Sequence, residues 1–193
     1  MSDKEMHEVQ EILPDSAAVE KQRKPANGRI LLITVLVLTA SVAVAVLAAY
    51  VWLPVLQIYG KSMTPTLKDG DYVVVLKTTK AAQGDVVALD VNNKLLIRRV
   101  IGVGGDEVNV AEDGTVFVNG DALEEPYVYG KHDGAPDVMM PCQVPDGMYF
   151  VMGDEREATV DSRHSEVGCV TEEQIMGRLI LRIWPLSEFG LVK

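Results

Sequence analysis

Serine is a common residue and mostly inert, so the setting decides which one can do chemistry. Of seven serines in the chain, Ser62 stands apart, in Gly60-Lys61-Ser62-Met63-Thr64-Pro65-Thr66-Leu67, nine residues past the end of a long apolar stretch. Gly60 lets another backbone approach this segment closely. A hydroxyl there is a candidate nucleophile toward a substrate near a bilayer surface, provided a neighbour removes its proton. The competing reading of the same residues is a serine that caps a turn before Pro65. Histidine offers little help: His7 lies in the N-terminal tail, His132 and His164 are isolated, and no CxxC, HExxH or acidic cluster has metal-ligand spacing, so neither metal nor cofactor is expected. The glycines of Gly102-Val103-Gly104-Gly105-Asp106 lack the strand-loop-helix context of a phosphate loop and read as a turn.

The elements that must position Ser62 follow from composition. The chain has 193 residues and a formal net charge of -10. Residues 1–29 carry 5 Lys/Arg and 6 Asp/Glu, residues 30–56 carry none, and residues 57–193 carry 13 and 22. No basic face exists to replace phosphate counterions, which excludes nucleic acid as a partner. Ile30 to Leu53 reads as a membrane-spanning helix of roughly 36 Å at about 1.5 Å per residue. Its three polar residues, Thr34, Thr39 and Ser41, are expected to bond back to helix carbonyls. Lys21, Arg23, Lys24 and Arg29 crowd its N-terminal side, while Lys61 is the first cation beyond it. This asymmetry places residues 1–29 in the cytoplasm as a disordered or loosely helical tail and residues 54–193 outside. Tyr50 and Trp52 fit an outer aromatic anchor, and the long polar leader favours a retained anchor over a cleaved signal peptide.

Beyond Gln57 the pattern becomes β-branched runs between Gly, Asp and Asn, a mainly β, antiparallel domain. Strands are expected at 72–76, 85–89, 95–101, 108–111, 115–118, 149–152 and 179–184. Glu112-Asp113-Gly114 and Asn119-Gly120 supply turns, and Thr171 caps a short helix over 172–176. Cys142 and Cys169 share this domain, and whether they pair stays open.

Three ordered segments resemble bacterial type I signal peptidases, membrane-anchored serine proteases. Gly60 to Leu67 is similar to the family's nucleophile box GxSMxPTL. Arg98-Arg99-Val100-Ile101-Gly102-Val103-Gly104-Gly105-Asp106 is similar to KRVIGxxGD except at its first position. The stretch from Gly153-Asp154-Glu155-Arg156 through Thr159 to Asp161-Ser162-Arg163 resembles GDNRxxSxDSR. The resemblance implies a single anchor, a β-rich outer domain and removal of signal peptides from exported preproteins after Ala-x-Ala-like small residues. Partners would be those signal peptides and membrane lipid, with the secretion translocon functionally close by.

The resemblance also assigns roles. Ser62 is the nucleophile, and its N–H with the Gly60 neighbourhood forms the oxyanion hole. Ile58, Met63, Leu67, Leu96 and Ile97 line the substrate pockets, with the core-packing reading of each left open. A substrate would lie extended between residues 57–60 and 95–98. Asp154, Arg156, Asp161 and Arg163 brace the site, Asp161 and Arg163 as a buried pair. Thr159 stands where the family's serine orients the base, and Glu155 replaces its usual Asn. The base itself is a neutral Lys in the family, and here its position holds Arg98. A guanidinium stays protonated and has no basic lone pair at neutral pH. Lys94 is about 13 Å along the strand at roughly 3.3 Å per residue, and Lys61 would point to the opposite face. Two readings therefore stand: a signal peptidase, or an impaired paralogue that binds signal peptides or regulates an active peptidase. The soluble self-cleaving repressor proteases, which share Ser-Lys logic, are disfavoured by residues 30–53.

Overall fold

The computed structural model describes residues 24–128, 136–157 and 159–193. The expectations for residues 1–23, for His132 and for the side chains of Tyr50 and Trp52 lie outside what it describes. Helix α1 spans Lys24–Trp52. It starts six residues before the expected Ile30, because Pro25 sits in the first turn, where a missing N–H costs nothing. Gly28–Ala49 is long and apolar enough to cross a membrane. Its hydroxyls behave as polar groups must in an apolar setting: Thr34 donates to the Ile30 carbonyl, Thr39 to Val35 and Leu36, and Ser41 to Leu38.

Residues 50–193 form a second unit built on two antiparallel sheets. Its strands are β1 (Val55–Gln57), β2 (Tyr72–Leu76), β3 (Val86–Val91), β4 (Lys94–Val103), β5 (Glu107–Val110), β6 (Val116–Val118), β7 (Asp121–Ala122), β8 (Cys142–Gln143), β9 (Met148–Met152), β10 (Val170–Thr171), β11 (Ile175–Trp184) and β12 (Gly190–Leu191). The larger sheet runs β1-β2-β11-β3-β4-β9-β10, with β12 also on β11, and the smaller runs β7-β6-β5-β8. Asn92 and Asn93, both at positive φ, close the β3–β4 hairpin, and Asn119-Gly120 closes β6–β7 in the same way. The expected helix at 172–176 is a 3-10 turn over Glu172–Gln174, with the Gln174 side chain accepting the Thr171 N–H. Ile175 and Met176 instead open β11, because the apolar alternation Ile175, Gly177, Leu179 buries that strand on the main sheet.

Three apolar clusters hold the domain. Ile58, Met63, Leu67, Val73 and Val75 pack with Val86, Ala88 and Leu179. Val87, Leu89, Val100, Val151 and Ile175 fill a second, and Ile101, Val108, Phe150 and Met152 a third between the two sheets. The strand that matters most for the site is β4. Its first half, Lys94 to Arg98, pairs with β3 alone, because β9 takes over as second neighbour only from Arg99 onward. That leaves one backbone edge of Lys94–Arg98 without a ladder partner among the described residues.

Candidate active site

The unpaired edge of β4 forms one wall of a cleft of about 360 Å³. Leu95, Leu96, Ile97 and Arg98 stand on that side; Gln57, Ile58, Tyr59, Gly60, Lys61, Ser62 and Met63 stand opposite, and Glu155 joins them. Ser62 and Arg98, 36 positions apart in sequence, are thereby brought into one wall system. Six of the seven expected nucleophile-box and pocket residues besides Arg98 line it. Leu67 does not: it is fully buried beneath, in the cluster with Met63 and Val73. It acts as the anchor of the Ser62 segment rather than as a pocket wall.

The segment carrying Ser62 is a chain of turns pinned from several sides. Thr64 N–H returns to the Lys61 carbonyl and Leu67 N–H to Met63. Arg182 on β11 donates to the Thr66 carbonyl and pairs with Asp71 at 3.0 Å. The Ser62 carbonyl accepts the Glu155 N–H at 3.1 Å, which ties the Ser62 segment to the 153–163 loop. Ser62 itself is half-buried, and neither its N–H nor its hydroxyl meets a partner among the described residues. Both are therefore available, one to attack a carbonyl and the other to stabilise the resulting oxyanion. Gly60 departs from expectation here. Its N–H is committed to Asp69 Oδ1 at 2.8 Å, so it cannot also serve an oxyanion. Gly60 contributes its φ of 87° instead, which turns the backbone out of the β1 direction.

The 153–163 loop is held by buried charge. Arg163 pairs with Asp161 through Nε at 2.9 Å and Nη2 at 3.0 Å, and also donates to the Arg156 carbonyl. Asp161 accepts the Gly153 N–H. Arg156 donates to Gly153 and pairs with Glu125. Asp154 is bound by Arg99 through both oxygens, at 2.8 and 2.6 Å, and accepts from Thr66. The Arg99 guanidinium also lies 3.9 Å over the Tyr127 ring and donates to the carbonyls of Gly84 and Lys193. These contacts bring in Arg99, Glu125 and Thr66 as partners that spacing alone did not name. Burial, then the Glu125 carboxylate, holds the Tyr127 hydroxyl well above its ordinary range, so it remains a donor to Glu125.

Arg98 is 5% exposed. Nε and Nη2 donate to the Val160 carbonyl at 3.2 and 2.8 Å, and Nη1 to Ile97 at 2.6 Å. Burial lowers its pKa from the usual guanidinium value, the Asp161 charge opposes that and Arg163 reinforces it. All three nitrogens act as donors, so no lone pair is offered to the Ser62 proton. Thr159 is buried, and its hydroxyl donates to the Glu155 carbonyl rather than to the residue-98 side chain. It closes the loop that carries Glu155 against Ser62. Outside the cleft, Cys142 and Cys169 form no disulfide, and their sulfurs share a hydrogen bond at 4.0 Å. Burial, then Cys142, pushes the Cys169 thiol up to about 12.

Residues 30–184 match the family described as signal peptidase, peptidase S26. The chain belongs to this family. Signal peptidase IB of Staphylococcus aureus is 41% identical over 152 residues, 68% of this chain and 78% of that protein. Signal peptidase I of Bacillus licheniformis is 33% identical over 165 residues, 79% and 87% of the two chains. A solved signal peptidase I of Enterococcus faecalis V583 is 29% identical, with a TM-score of 0.44 over 52% of this chain and 97% of that one. In this signal peptidase family member, Ser62 and Arg98 line one cleft.

Proposed function

We propose that this chain is a signal peptidase I, a serine endopeptidase that removes N-terminal signal peptides from exported preproteins after small, Ala-x-Ala-like residues. The observation that carries the residue assignment is Ser62, whose hydroxyl and N–H both lack a partner among the described residues and which lines the cleft with the open edge of β4. A preprotein segment lying between Gln57–Gly60 and Leu95–Arg98 adds a strand, so main-chain hydrogen bonds give sequence-tolerant affinity. Ile58, Met63, Leu96 and Ile97 keep the side-chain subsites apolar and shallow. Ser62 attacks the scissile carbonyl, and the C–N bond of the tetrahedral intermediate breaks so that the mature chain leaves as its protonated amine and the leader stays esterified to Ser62. Water then hydrolyses that ester to free the leader as a carboxylate. In the same proposal α1 anchors the chain in lipid with its N-terminus in the cytoplasm and residues 54–193 outside, close to the translocon that delivers preproteins.

Detergent-solubilised full-length chain incubated with a preprotein tests this reading. Cleavage after the small-residue motif, abolished by Ser62→Ala, is expected; cleavage that survives Ser62→Ala contradicts the assignment. Arg98 favours a second reading, a paralogue that grips signal peptides or regulates an active peptidase with little turnover, because its nitrogens donate to Val160 and Ile97 and none accepts a proton. Arg98→Lys is expected to raise Ser62-dependent cleavage by about 10²-fold or more, the usual worth of a positioned general base.

A further inference from the structure

Arg98 closes one chemical role and opens another. Its Nε, Nη1 and Nη2 each spend one N–H on the Val160 and Ile97 carbonyls, which leaves a second N–H on each terminal nitrogen without an acceptor among the described residues. The side chain is 5% exposed and forms part of the cleft wall beside Ser62. Donors this deeply buried are costly to leave unmet, and a guanidinium matches a carboxylate better than it matches any neutral acceptor. Around it the domain is acidic, with 13 Lys/Arg against 22 Asp/Glu in residues 57–193. The cleft reverses that balance: Lys61 and Arg98 line it against Glu155, and Glu155 Oε1 accepts the N–H of Glu157 within its own loop. The pair Asp161–Arg163 next to Arg98 is internally neutralised.

We propose that the cleft is a binding site for peptides ending in a free carboxylate after a small residue, that is, for leaders already released, with the Arg98 guanidinium holding the terminal carboxylate beside Ser62. This rests on the signal-peptide reading above and extends it. Before cleavage the position next to Ser62 holds a neutral carbonyl; after cleavage it holds an anion, and a fixed cation discriminates between the two where a neutral amine would not. Ser62 N–H, free in the structure, supplies a further donor to the same carboxylate. The released leader is then the occupant this cleft favours.

The test is equilibrium binding to the full-length chain in detergent micelles, followed by fluorescence anisotropy, of two labelled leader peptides of one sequence ending Ala-x-Ala. One ends in the free acid and the other in the carboxamide, with a scrambled-sequence acid as control. The proposal expects the acid to bind about tenfold more tightly than the amide, with the preference collapsing in Arg98→Gln. Equal binding of acid and amide by the unaltered chain, with both ahead of the scrambled peptide, overturns the carboxylate site and leaves the signal-peptide reading standing. A leader that binds no better than its scrambled control overturns that reading, and the proposal with it. A preference that survives Arg98→Gln but disappears in Lys61→Gln also overturns it, since the charge at work is then not that of Arg98.

Discussion

Two guanidinium groups stand side by side in β4 with different tasks. Arg99 is structural: both its partner oxygens on Asp154 are buried, and the salt bridge has 2% and 0% of its side chains exposed. Removing one partner strands a charge, so Asp154→Ala is expected to cost about 3–5 kcal/mol, read as a lowered denaturation midpoint. Arg98 is held by carbonyls alone, with no bidentate carboxylate, and Arg98→Lys is expected to fold with far less loss. The guanidinium chemistry of residue 98 was legible in the sequence, because it follows from residue type. The commitment of its donors to Val160 and Ile97 was not, since those carbonyls depend on how two distant segments meet. The same limit hid the Gly60 contact with Asp69 and the role of Leu67. A β-domain leucine next to a nucleophile box looks alike whether it faces a cleft or the core.

Among the elements, the 153–163 loop couples the Ser62 segment to the buried ion pairs. A Cβ on Gly153 would fall 2.7 Å from the Ser62 carbonyl oxygen and clash with the Thr159 side chain. Backbone at that distance cannot yield cheaply, so Gly153→Ala is expected to destabilise the domain by about 1–3 kcal/mol and to displace Ser62, seen as a lower midpoint with loss of Ser62 reactivity. The two cysteines join other elements, Cys142 on β8 of the small sheet and Cys169 just before β10 of the large one. With burial raising the Cys169 thiol to about 12, its thiolate is scarce below that pH. Alkylation of Cys169 by iodoacetamide at pH 8 is therefore expected to lag well behind a free cysteine and to accelerate as the pH climbs toward that value. Strand positions such as Tyr72–Leu76 followed directly from β-branched runs and turn residues. The helix over 172–176 did not, because the local capping signal at Thr171 is honoured for one 3-10 turn and then overridden by burial of β11.

At the scale of the whole molecule, the three apolar clusters draw only on residues from Leu56 onward. A chain lacking residues 1–53 is expected to fold and unfold cooperatively without detergent, checked by circular dichroism during thermal melting. An apolar helix and a β-rich remainder were readable in the sequence, the first from a stretch without Asp, Glu, Lys or Arg and the second from β-branched runs between turn residues. The order of strands in the large sheet was not, because β11 inserts between β2 and β3 from nearly 100 residues away, and no local pattern encodes that pairing. We propose that Ser62 is a competent nucleophile deprived of its base by the residue at 98. Intact-protein mass after exposure to a serine-reactive phosphonate tests it most directly, with the unaltered chain, Arg98→Lys and Arg98→Lys/Ser62→Ala compared side by side. A single adduct that forms much faster in Arg98→Lys than in the unaltered chain, and disappears with Ser62→Ala, is the predicted result. Equal labelling of the first two, or labelling that persists without Ser62, would contradict it.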